Sequence, residues 1–300
     1  MTTATSPEAI ASALAQGFAY TRRVPVLRRP DEYGLAYEDV SFPSQDGTPL
    51  EGWFIPADSD KLVIANHPMP CNRYGYPGHL PAYATPFADF EVNFLPDCKN
   101  LHDAGYNVLA YDLRNHGRSG AANGGLVGIG LFEYRDVIGS VRYGRERMGI
   151  GTSRIALLSR CLGADSTIVA MSKHPEVFDG IPAFVAVQPV SLRALAETAL
   201  AQVPGGIGLL EVELKNLTGF DLDELSPLNH AKDVTVPTLI AQVHHDSSTR
   251  PEDVQGIYDN LGAKDKKLHW IEGTTRRFDG YNYFAENPGQ MVDWFTSHLA

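Results

Sequence analysis

The chain has 300 residues, a formal net charge of −11 and three cysteines. That length suits one large α/β domain over residues 1–300, with no polar linker or low-complexity stretch to divide it. The acidic balance, broken only by isolated arginine pairs such as Arg22-Arg23 and Arg28-Arg29, excludes nucleic acid as a natural partner. The apolar runs fall far short of the roughly 20 residues that span a bilayer, and the N-terminus has neither a basic region nor a compact apolar core. A soluble cytoplasmic protein with no membrane partner is expected. Cys71, Cys98 and Cys161 show no CxxC and no paired His spacing, so free thiols are expected and neither a disulfide framework nor a metal site is implied.

In chain order, Ser6 followed by PEAIASALAQGF reads as a capped helix with Pro7 at its first position, a peripheral cover. YEDVSFPSQDGTPLEGWFIP alternates apolar and polar residues on both sides of Asp46-Gly47, the pattern of two antiparallel strands and a tight turn. From KLVIANHP onward the strands are short continuous apolar runs (LVIAN, YNVLAYDL, RIALLS, FVAVQPV, TLIAQV, KLHWIE), as expected when helices cover both faces. Helical stretches separate most of them, which predicts a mostly parallel sheet with right-handed crossovers. Residues 69–94, rich in Pro, Gly and Tyr, read as a long loop over a strand end. Residues 191–233, with the hinge-like Pro204-Gly205-Gly206, read as a small helical lid inserted in the domain. Ligands of parallel sheets are held at that edge.

Three landmarks in this order resemble the α/β-hydrolase fold superfamily, over nearly the whole chain from about residue 35. ANHPMP is similar to the oxyanion segment after the third strand. GYNVLAYDLRNHGRSG is similar to the fourth strand and its following turn, which assigns Arg114 and His116 to architecture. SRCLGA matches the G-x-S-x-G nucleophile elbow, with Ser159 at the first glycine, Cys161 at the nucleophile and Gly163 at the last glycine. At the nucleophile the site resembles dienelactone hydrolase. The physics of the elbow fits a thiol: a helix N-terminus and a nearby cation lower a cysteine from its ordinary pKa of about 8.5. The resemblance implies an oxyanion hole from the backbone N–H groups of Leu162 and Met69, Met69 being the only donor between Pro68 and Pro70. It also places Asp246, in QVHHDSSTRPEDV, at the triad-acid position.

The base position breaks the pattern. KLHWIEGTTRRFDGYNYF reads as the last strand and its loop, and Arg276 or Arg277 stands where the superfamily has histidine. An arginine stays protonated and cannot act as a base. The expectation is that Arg276 pairs with Asp246 and presents its charge to Cys161, giving a standing thiolate. A base would then have to come from His67, His244 or His245, of which the last two, adjacent on leaving a strand, point to opposite sides. Tyr74, Tyr76, Tyr83 and Phe87 offer an aromatic lining for a planar or polyketide-like substrate. The function implied is a hydrolase-type enzyme using Cys161 on an ester, lactone or thioester carbonyl of a small molecule, with no cofactor. The alternatives are a non-hydrolytic acyl transferase, lyase or cyclase, or an inactive binding protein of the same fold. The sequence leaves the oligomeric state open.

Overall fold

In a computed structural model that describes residues 6–299, the first element is helix α1 (Pro7–Ala19). The Ser6 side chain accepts from the Ala9 N–H, Pro7 loses no hydrogen bond at the first turn, and Ala11, Ala15 and Ala19 form the buried stripe. Strands β1 (Glu38–Pro43) and β2 (Pro49–Ile55) form the antiparallel pair expected around Asp46-Gly47, with Gly47 at a φ of 87°. β3 (Leu62–Asn66) follows. The next segment, expected as a loop, contains a small antiparallel pair, β4 (Gly75–Pro77) with β5 (Glu91–Asn93). Backbone strain at a Cβ explains the sequence there: on Gly75, a Cβ would lie 1.9 Å from the Val92 carbonyl oxygen.

The alternating region then runs α2 (Leu95–Asp103), β6 (Asn107–Tyr111), α3 (Tyr134–Met148), β7 (Ile155–Arg160), α4 (Leu162–Lys173), α5 (Pro175–Phe178) and β8 (Ala183–Val187). After it come α6 (Leu192–Ala199), α7 (Gly206–Thr218), β9 (Thr238–Val243), α8 (Pro251–Asn260), β10 (Lys266–Ile271), α9 (Arg277–Glu286) and α10 (Gly289–His298). The main sheet has the order β1-β2-β6-β3-β7-β8-β9-β10, antiparallel at β1-β2 and β2-β6 and parallel from β6 to β10. This is the α/β-hydrolase fold. Among the described residues no helix is long and apolar enough to cross a membrane.

The two-residue period of a strand sorts the core into two layers. Ile64, Leu109, Leu157 and Ala186 face the layer that holds α1, α3, α4 and α7, whereas Val63, Val108, Leu158 and Val185 face the layer that holds α2, α9 and α10. Two features differ from the sequence reading. The stretch after β10, expected as loop, contains α9, and α1 packs against α7 from the 191–233 segment. Both differences bear on the site, because α9 and α1 supply two of its walls.

Candidate active site

The β7–α4 turn puts Cys161 at φ 44° and ψ −112°, outside the regions that side chains with a Cβ ordinarily occupy. Such a conformation costs on the order of 1–3 kcal/mol and persists only where the surroundings over-determine it. Here they do. The Cys161 N–H donates to the Val187 carbonyl at 2.8 Å, tying the turn to β8, and its carbonyl accepts from Asp165 N at 2.8 Å, starting α4. A Cβ on Gly163 would meet Asn66 at 2.8 Å, so the last glycine of the elbow is the residue that lets α4 approach the end of β3.

Ser159, where the elbow pattern has glycine, has its own reason. The Tyr111 hydroxyl donates to Asn66 Oδ1 at 2.6 Å, Asn66 Nδ2 donates to Ser159 Oγ at 2.8 Å, and Ser159 Oγ lies 2.9 Å from Thr167 Oγ1. Thr167 in turn donates to the Gly163 carbonyl at 2.9 Å. All four side chains are buried, so this chain of hydrogen bonds fastens β6, β3 and β7 to the helix that Cys161 caps.

Cys161 opens into a cavity of about 650 Å³ walled mainly by hydrocarbon, including Leu14 and Phe18 of α1, Ile129, Leu192 and Leu195 of α6, and Phe278 of α9. Met69 and Leu162, the two expected oxyanion donors, also line it. As the first residue of α4, Leu162 has an N–H with no acceptor inside the helix.

Beside the sulfur lies a buried polar chain. Arg277 Nη1 donates to Asp246 Oδ2 at 2.7 Å, Nη2 to the Gln188 carbonyl at 2.5 Å, and Nε to the Tyr281 hydroxyl at 3.0 Å. Asp246 is held further by Gln242 Nε2 at 3.2 Å and by the Ser248 N–H at 2.8 Å. Tyr281 and Cys161 line the same cavity. Although burial opposes its charge, the facing Tyr281, Cys161 and Asp246 keep Arg277 well above the ordinary arginine value. Burial likewise pushes the Tyr281 phenol well above its ordinary value despite the attraction of Arg277. At neutral pH this site therefore holds a fixed cation and a neutral hydroxyl donor.

This arrangement corrects the assignment of the arginine. Arg277, not Arg276, pairs with Asp246 and lines the cavity with Cys161; Arg276 is half-exposed, pairs with the exposed Asp89 and stacks on Phe90 at 4.3 Å. The reason is where α9 begins. Arg276 is the extended residue before the helix, and Arg277 is its first residue, turned inward. The sequence reading places this segment in a loop, which gives no reason to pair Tyr281 with Arg277. In a helix, four residues separate side chains on one face, so Arg277 and Tyr281 meet there.

None of the three candidate histidines lines the cavity. His67 is buried with both ring nitrogens committed: Nε2 accepts from Leu113 N at 2.9 Å, so Nδ1 carries the hydrogen and donates to the Pro68 carbonyl at 2.9 Å. Burial, together with the Arg160 and Arg73 charges, pushes His67 down to about 4. It is a neutral structural bridge between the β3 and β6 loops, not a base. His244 and His245 point the same way rather than to opposite sides, their rings stacked with centroids 4.4 Å apart on the protein surface. Tyr74 and Tyr76 are also outside the cavity: Tyr74 bonds Glu91, and the Tyr76 hydroxyl donates to the Tyr83 carbonyl at 2.6 Å. Of the four aromatic residues, Phe87 is the one that lines the cavity. His116 Nδ1 donates to the Arg114 carbonyl at 2.8 Å, and Arg114 is clamped by Asp136 and Asp46, as an architectural turn requires.

No family model matches the chain. The uncharacterized protein YfhR of Escherichia coli K12 is 25% identical over 279 residues, covering 90% of this chain and 84% of that protein. Among solved structures, the Pyrococcus furiosus esterase Pf2001 superposes with a TM-score of 0.71 at 22% identity, covering 94% of this chain and 99% of that one. The α/β hydrolase GrgF from Penicillium sp. sh18 gives 0.62 at 17% identity over 88% and 99%, and the acetyl xylan esterase from Paenibacillus sp. R4 gives 0.61 at 16% identity over 94% and 91%. These likenesses establish the fold.

Proposed function

We propose that this protein is an α/β-hydrolase-type enzyme in which the Cys161 sulfur attacks an ester, lactone or thioester carbonyl and Tyr281, positioned by Arg277 and Asp246, moves the proton. The observation that carries the reading is that Cys161, Tyr281 and Arg277 line one apolar cavity, with Arg277 bonded to both Tyr281 and the buried Asp246. The Arg277 Nε–H occupies one lone pair of the Tyr281 oxygen, which leaves the second lone pair free to accept a proton and the hydroxyl hydrogen free to be given up. As the S–C bond forms, the thiol proton passes to the Tyr281 oxygen while the Tyr281 proton passes to the departing oxygen or sulfur. Leaving-group expulsion then gives an acyl-Cys161 thioester, and the developing oxyanion sits where the Leu162 and Met69 N–H groups are offered. An acceptor hydroxyl completes the cycle in reverse: it attacks the thioester, its proton returns to the sulfur through Tyr281, and the acyl group leaves.

The acceptor is water in a hydrolase. The absence of any histidine from the cavity lining and its largely hydrocarbon walls favour a second reading, in which the acceptor is a hydroxyl of a second substrate or of the acyl chain itself, so that the product is a transferred or cyclised ester. The acyl group is apolar in either case.

Intact-mass analysis after incubation with p-nitrophenyl and alkyl acyl esters, enol lactones and acyl thioesters tests this. The expected result is an acyl adduct on the native protein that is missing in Cys161→Ala. In Tyr281→Phe, acylation should slow by about 10²–10⁴-fold for poor alkyl leaving groups and much less for p-nitrophenolate, which leaves without a proton. An adduct that persists in Cys161→Ala, or no reaction with any of these carbonyl classes, would overturn the proposal.

A further inference from the structure

Among the described residues, one cluster of ligating side chains outside the cavity remains unexplained by the proposed chemistry. His244, His245 and Glu272 stand at the ends of β9 and β10, with one ligand atom from each lying within 4.8 Å of the others. We propose that they form a surface site for a divalent transition metal of the zinc type, which clasps the two loops that carry Asp246 and Arg277.

Two imidazoles and a carboxylate make the donor set that zinc, copper and nickel prefer, whereas magnesium and calcium prefer oxygen alone. Metal–ligand distances of about 2.0–2.2 Å in a tetrahedral site put ligand atoms roughly 3.4 Å apart. His244 Nδ1 and Glu272 Oε1 are already 2.8 Å apart, so modest side-chain rotations bring all three donors to that spacing. A solvent molecule would fill the fourth position.

The side chains are partly arranged for the purpose. His244 is fixed by its backbone N–H, which donates to the Ile271 carbonyl at 3.0 Å, and by its ring, which stacks on Trp270 with centroids 4.7 Å apart. His245 stacks on His244 with only 16° between the ring planes, so both imidazole edges can be offered to one side. Adjacent strand residues normally point apart; the turn at 244–245 brings these two together instead. A bound ion would tie residue 245, the immediate neighbour of Asp246, to residue 272 at the start of the loop leading to Arg277. It would thereby stiffen the frame of the Asp246–Arg277 pair without touching the cavity. This site does not depend on the proposed reaction.

Calorimetric titration of the full-length protein with Zn(II) alone, paired with thermal melts, tests the site. The accessible Cys161 thiol is the rival ligand, so Cys161→Ala serves as the control arm. Expected are about one Zn(II) per chain in the native protein and in Cys161→Ala, at least ten-fold weaker binding in His244→Ala and His245→Ala, and weaker binding in Glu272→Gln. The zinc-induced rise in melting temperature should disappear in the same variants, and Mg(II) should produce none. Binding that survives all three substitutions, binding lost only in Cys161→Ala, or no Zn(II) bound in the native protein would each overturn the site.

Discussion

Replacing Arg277 by methionine removes one cation and three donated hydrogen bonds, and the buried Asp246 carboxylate then keeps only Gln242 Nε2 and the Ser248 N–H. The side chains of the pair are 5% and 2% exposed, so solvent cannot take over the lost role. Breaking such a buried pair from one side costs about 3–5 kcal/mol. At roughly 2 °C per kcal/mol for a chain of this size, the melting temperature should fall by about 6–10 °C. Arg276→Met is the internal comparison: its ion pair with Asp89 is exposed, and its loss should stay within about 0.5 kcal/mol. Adding Asp246→Asn to Arg277→Met neutralises the stranded carboxylate, so the double variant should recover part of the loss, with a coupling of about 1–3 kcal/mol in the cycle. Urea unfolding followed by circular dichroism supplies the free energies, and intact-mass acylation supplies the rate, which should fall in Arg277→Met and hold in Arg276→Met. If Arg276→Met were the destabilised and slow variant while Arg277→Met behaved as the native protein, the reasoning about the relay would be refuted.

Two other outcomes follow from the same geometry. Gly163→Ala places a methyl group 2.8 Å from Asn66, so we expect about 1–3 kcal/mol of destabilisation by urea unfolding and slower acylation as the Leu162 N–H is displaced, whereas unchanged values for both would show that the turn has slack. His116 titrates at about 3 in the fold because burial, with His67 nearby, opposes its charge. The unfolded chain takes up that proton near the ordinary value of about 6.5, so the native state loses stability as pH falls from about 6.5 toward 3, by about 1.4 kcal/mol per pH unit. His116→Gln should remove one proton from this slope between pH 6 and 4. Asp97 and Asp136, which burial raises to about 6, titrate in the opposite sense but cancel in the comparison of the two proteins. Equal pH slopes would contradict the assignment.

The sheet, the sharp strand-to-helix turn at Cys161 and the place of Asp246 after β9 were legible because each rests on a pattern longer than one residue. Continuous apolar runs announce buried parallel strands, and SRCLGA encodes a bend that few sequences tolerate. Arg276 and Arg277 were not separable on that basis. Which of two adjacent side chains turns inward depends on the residue at which a helix starts, and helix ends are set by tertiary contacts as much as by local preference. TTRRFDGYNYF carries glycine, asparagine and aromatic residues of modest helix propensity, and packing over the β8 and β9 ends overrides it. At Gly280 a Cβ would lie 2.8 Å from Gln188 Nε2 and Val243 Cγ2, so the residue that weakens the helix signal in the sequence is the one that lets α9 dock. Tyr281 is hidden for the same reason, since its proximity to Arg277 exists only once that helix does. The histidines failed as bases because a ring's usefulness depends on which of its nitrogens is already occupied, as at His67, and no pattern of residue types records that.

Leu14 and Phe18 come from α1, before the first strand, and Leu192 and Leu195 come from α6, outside the sheet, yet together they enclose the space above the sulfur. In the proposed reaction the length and branching of the acyl group would therefore be measured by residues that take no part in bond making, while the elbow and α9 would handle only its carbonyl. Specificity of that reaction could then drift by repacking the amino-terminal helix without disturbing the reacting atoms.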